Sequence, residues 1–64
     1  MLVICLLLMN IGGDDMELVK LPIEGKVLRQ SELTYEVDFS KGIPPMAKGD
    51  YSDIVVYKKD CRKP

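Results

Sequence analysis

The chain has 64 residues, a formal net charge of −1 and 47% hydrophobic letters, which describes one small domain with no room for a second. At this size only roughly 60% of the surface exposed by the unfolded chain is buried, so little apolar surface is spare. Histidine is absent, which excludes Ser-His and Cys-His nucleophile pairs and every His-ligated metal site. The composition therefore points to a non-enzymatic protein with no catalytic residue, no metal and no cofactor.

Residues 1–11, Met-Leu-Val-Ile-Cys-Leu-Leu-Leu-Met-Asn-Ile, are almost wholly apolar. A membrane-spanning helix needs about 20 such residues, and Gly12-Gly13-Asp14-Asp15 stops the run well short, so no membrane span is expected. A secretory signal would carry a Lys or Arg ahead of the run and a small-residue cleavage site after it, and neither is present. The run reads as a fully buried strand or a short helix, between which a short apolar stretch does not decide. Met16 then opens a second well-patterned stretch. Residues 16–64 read as a small β domain, with 1–15 as an apolar leader strand and turn and a start at Met16 as the alternative to Met1. Such a leader either completes the sheet or offers an edge for a homodimer.

From Glu17 onward the pattern is strand-like. Residues 17–21 form a short apolar stretch stopped by Pro22, which cannot donate to a ladder and suits an edge. Residues 24–29 follow, with Gly25 at a bulge or bend. The polar Gln30-Ser31-Glu32 is short enough for a hairpin. Leu33, Tyr35, Val37 and Phe39 alternate with Thr34, Glu36 and Asp38, the period of a strand with one face on the core. Residues 40–52 hold Gly42, Pro44, Pro45 and Gly49 and read as a surface loop. Residues 53–58 resume as a strand whose β-branched centre suggests burial on both sides. Residues 59–64 read as a basic, frayed tail. The expected fold is all-β: a small SH3-like open barrel or curled antiparallel sheet of four to five strands, including residues 2–9. The expected core is Val19, Val27, Tyr35, Val37, Phe39, Ile54 and Val56.

The order Gly25-x-Val27, Tyr35-x-Val37-x-Phe39, Gly42, Ile54-Val55-Val56 and Asp60 resembles the small Tudor or KOW type of SH3-like barrel, over residues 23–60. The loop with two prolines is longer than the usual connection, and no aromatic cage is evident among Tyr35, Tyr51 and Tyr57. The resemblance implies a binding module rather than a particular ligand.

Two isolated cysteines, Cys5 and Cys61, fall short of a zinc site and of the usual disulfide framework. They read as free thiols in a reducing, cytoplasmic setting, with a disulfide between them as the alternative. Glu36 and Asp38 share one strand face roughly 7 Å apart, and a solvated face is the simpler reading for them. Asp14-Asp15 reads as a turn, and Gly12-Gly13 lacks the Lys-Ser/Thr ending of a phosphate loop. Two binding surfaces remain. The loop presents Ile43, Pro44, Pro45, Met46 and Tyr51, rigid, adaptable and aromatic contacts that suit a partner protein unless they fold back onto the barrel end. Lys26, Arg29, Lys58, Lys59, Arg62 and Lys63 form the alternative, a basic patch for nucleic acid. The sequence pI near 5.2 and the lack of a base-stacking motif favour the first. The expectation is a protein-interaction module, a small regulator or inhibitor of the size that viruses and mobile elements encode.

Overall fold

The computed structural model describes residues 1–10, 18–45, 47 and 49–64. Five antiparallel strands, β1 (Leu2–Asn10), β2 (Leu18–Gln30), β3 (Thr34–Asp38), β4 (Ile54–Tyr57) and β5 (Cys61–Arg62), form one sheet in the order β4-β3-β2-β1-β5. The sheet curls strongly into a half-barrel. A 3-10 turn, Lys58–Asp60, joins β4 to β5.

The apolar run is a strand, and it sits inside the sheet. Its nine residues pair with β2 from Leu2↔Lys26 to Asn10↔Leu18. It is not buried on both faces. Val3, Cys5, Leu7 and Met9 are 0–7% exposed, whereas Leu2, Leu6 and Leu8 are 49–56% exposed. Alternate side chains of a strand point to opposite faces, so one face of β1 enters the core and the other meets solvent.

Residues 18–30 form one strand where the sequence suggests two. Pro22 does not end it, because β3 reaches β2 only from Lys26 to Gln30. At Pro22 the ladder has β1 on one side and no described strand on the other, which is where a residue without an N–H is tolerated. β2 bends with the curl of the sheet, and its register against β3 shifts between Val27 and Arg29. The irregularity falls beyond Gly25, whose part is different. A Cβ on Gly25 would collide with Val37 Cγ1 and lie 2.6 Å from Phe39 Cδ1, so the missing side chain is what lets Phe39 close over the strand.

The described core is Val3, Cys5, Leu7, Met9, Ile23, Val37 and Phe39. Of the expected core, Val37 and Phe39 are fully enclosed, while Val27, Tyr35, Ile54 and Val56 are half-buried against it. Val19 is also only half-buried and is not part of that cluster. β4 is not buried on both sides: Val55 is 64% exposed, because the core lies on one face of the single sheet and Val55 points to the other.

The tail is not frayed either. β5 lies beside β1 with Ile4 opposite Arg62 and Cys5 opposite Cys61, and the two cysteines are joined as a disulfide. Free thiols are thus replaced by a cross-link, because the 3-10 turn carries the chain from β4 to the β1 edge and puts both sulfurs at one register position.

Candidate interaction surface

The outer face of the β1–β2 hairpin follows directly from the register. Leu2 lies beside Lys26, Ile4 beside Glu24, Leu6 beside Pro22, Leu8 beside Lys20 and Asn10 beside Leu18. Arg62 flanks Ile4 from β5. Leu2, Leu6, Leu8 and Leu18 are each about half exposed, at 49–56%. An apolar strip thus runs along β1, which has no charged residue between Leu2 and Asn10, with charged groups on the strands beside it. Near its middle, Ile4, Leu6 and Pro22 join Lys59 and Arg62 in lining an open groove of about 420 Å³.

A second apolar cluster lies at the far end of the sheet. Leu33 and Tyr57 line a shallow groove with Lys58 and Lys59, and they are 68% and 57% exposed. Lys59 Nζ stands 5.5 Å from the centre of the Tyr57 ring, and Lys58 Nζ stands 5.1 Å from that of Tyr35.

The loop after β3 is tied at both ends by the same device. Asp38 accepts hydrogen bonds from the backbone N–H and hydroxyl of Ser40, at 2.9 and 2.6 Å, and Asp50 does the same for Ser52, at 3.0 and 2.7 Å. These bonds hold both carboxyls below the ordinary aspartate range, the Ser hydroxyl being the larger cause in each case. The Phe39 N–H donates to the Tyr51 carbonyl at 2.8 Å, carrying the β3–β4 pairing into the loop. Ile43, Ala47 and Tyr51 then pack against the core, Pro44 is half-buried and Pro45 is exposed. Met46 lies outside the described residues, as do Gly12, Gly13, Asp14, Asp15 and Met16.

The basic residues are spread over several surroundings. Lys26 lies opposite Asp38, and Arg29 Nε is 2.6 Å from Glu36 Oε2, which raises the guanidinium pKa. Lys58 and Lys59 lie over tyrosine rings, Arg62 is on the outer face of β5, and Lys63 borders a small groove with Met1, Val3 and Tyr35. Glu36 and Asp38 are thus engaged with Arg29 and Ser40. Among the described residues no group of three or more potential ligands is placed to hold a metal ion. No described helix is long and apolar enough to cross a membrane.

The outer leucines escape a reading of the sequence because β1 is apolar on both faces, so letters alone do not show which face is out. The signal is present in β2, where Leu18, Lys20, Pro22, Glu24 and Lys26 alternate with Val19, Leu21, Ile23, Gly25 and Val27. Treating Pro22 as a stop divides that pattern. Comparison with known proteins gives no matching family, no matching curated protein and no matching solved structure.

Proposed function

We propose that the chain is a small SH3-like barrel acting as a non-enzymatic protein-interaction module, a regulator that works by occupying a partner protein. What supports the barrel reading is the meander order, with a long bent β2 shared between β1 and β3 and a 3-10 turn before the last strand. The observation that carries the binding reading is the strip of Leu2, Leu6, Leu8 and Leu18. Four half-exposed leucines on one face make a contiguous apolar patch of the kind that marks interaction sites, whereas isolated exposed apolar residues need no explanation. The charged residues beside it supply a polar rim. The two-proline loop contributes less than its letters suggest, because Ile43 and Tyr51 are spent on the core.

The test is capture from the native host by the immobilised chain, followed by a salt titration. The expected result is a protein retained at moderate salt and lost with Leu6→Lys or Leu8→Lys, variants whose melting temperature stays at the wild-type value because neither side chain enters the core. Loss with Pro45→Ala instead would move the site to the loop. Nucleic acid bound in a steeply salt-dependent way, and released on replacing Lys58, Lys59, Arg62 and Lys63, would refute the protein-binding reading.

A further inference from the structure

Cys5 and Cys61 are 56 residues apart in the chain and face each other across β1 and β5. The strand they secure is slight. β5 has two residues, and its ladder to β1 consists of two register pairs, one of which is the cystine itself. The two residues differ in exposure: Cys5 is 0% exposed, whereas Cys61 is half-buried. Both cysteines line the groove of about 420 Å³, and Cys61, unlike Cys5, also lines a smaller one of about 120 Å³. Lys59, Arg62 and Lys63, set against Asp60 alone, make this approach electropositive, and a positive setting stabilises an attacking or departing thiolate. The chain is anchored separately just before β5. The Lys58 N–H donates to the Leu33 carbonyl at 2.9 Å, and the Lys58 ammonium sits over Tyr35.

We propose that this disulfide is a redox latch, opened by thiol attack at Cys61, which frees residues 59–64 while the sheet β4-β3-β2-β1 stays folded. A small-molecule thiol such as glutathione, as its thiolate, bonds to Cys61 Sγ. The bond between Cys61 and Cys5 breaks, and Cys5 leaves as a thiolate that takes up a proton. A second thiol then releases Cys61 as a thiol and departs as the symmetrical disulfide. Two thiols are oxidised and one cystine is reduced. In a reducing cytoplasm the latch is open, and in an oxidising compartment it is shut. Opening uncovers the edge of β1 at Ile4 and Cys5, lengthening the apolar strip by an unpaired strand edge. That consequence for binding rests on the interaction reading above; the opening itself does not.

The experiment treats the full-length chain with glutathione redox buffers under native conditions. It reads thiol adducts by mass spectrometry and amide exchange by segment. Expected are a transient glutathione adduct on Cys61 and none on Cys5, and a fall in protection of about tenfold or more at residues 60–63 and 3–6. Protection within residues 19–30, 34–38 and 54–57 is expected to persist. The double variant Cys5→Ala/Cys61→Ser, which lacks the bond without any reductant, should show the same exchange pattern. A cystine that resists reduction until denaturant is added would overturn the proposal. So would an adduct confined to Cys5, or loss of protection throughout the sheet in both the reduced chain and the variant, which would make the bond a structural staple. Partner capture plays no part in these readouts, so failure of the interaction reading leaves this result standing.

Discussion

Two neighbouring residues of β1 test the placement of the apolar run, because they differ little in chemistry and greatly in surroundings. Met9 is 0% exposed and Leu8 is 56% exposed. Met9→Ala removes a side chain enclosed on every side, which costs about 2–5 kcal/mol through lost burial and the cavity left behind. Leu8→Ala removes atoms already half in water and should fall within about 0.5 kcal/mol of wild type. A domain of 64 residues has roughly 3–10 kcal/mol of stability in all. Met9→Ala therefore consumes a large share of it, and the variant is expected to be marginal or unfolded. Urea denaturation followed by far-ultraviolet circular dichroism measures the difference. With a slope near 1 kcal/mol/M for a small protein, the two midpoints should lie about 2 M or more apart. Equal losses at both positions would refute the assigned faces of β1. Two unchanged midpoints would show that the run contributes nothing to the fold.

Phe39→Ala empties the other fully buried large position and should cost about 3–5 kcal/mol in the same assay. Gly25→Ala places a methyl against Val37 and Phe39, both fully enclosed, and should cost about 1–3 kcal/mol. Combined with Val37→Ala it should cost less than the sum of the single changes, since one collision is then removed. Asp38 and Asp50 have folded-state pKa values below the ordinary carboxylate range because the Ser40 and Ser52 hydroxyls and N–H groups bond the charged form. Their contribution is therefore complete above the unfolded-state value and disappears as pH falls through the lowered folded-state values. Melting temperature measured from pH 6 downward should drop in that acid range, and Ser40→Ala/Ser52→Ala should flatten the drop.

How far the sequence discloses the fold depends on whether its letters contrast. In β3 they do: Tyr35, Val37 and Phe39 against Glu36 and Asp38 give the strand and its inner face at once. In β1 they do not, since nine residues without a charge carry a strict inside–outside alternation that only the partner strand reveals. The principal exposed strip is hidden for that reason. Pro22 misleads in the opposite way, because its meaning depends on whether a strand lies on its unbonded side, a property of the sheet and not of the local stretch. β5 is out of reach of local reading altogether. Two residues have no period, and their position comes from the turn at Lys58–Asp60 and from a cysteine 56 places away. The loop is intermediate. Its prolines and serines mark it as irregular, but nothing local tells that Ile43 and Tyr51 turn inward.

The register of the outermost pair has a consequence for how the chain can be cut and rejoined. With Ile4 opposite Arg62, and the Met1 carbonyl accepting from the Val27 N–H at 2.9 Å, the two chain ends lie side by side on the same border of the sheet. Residues 1 and 64 are thus separated by a short gap. A short Gly-Ser bridge across that gap, with new ends made at the exposed Pro45, would preserve every strand and alter only the order in which they are synthesised. In such a permutant β5 and β1 become covalent neighbours through the backbone, and the last strand is tethered whatever the oxidation state of its sulfur.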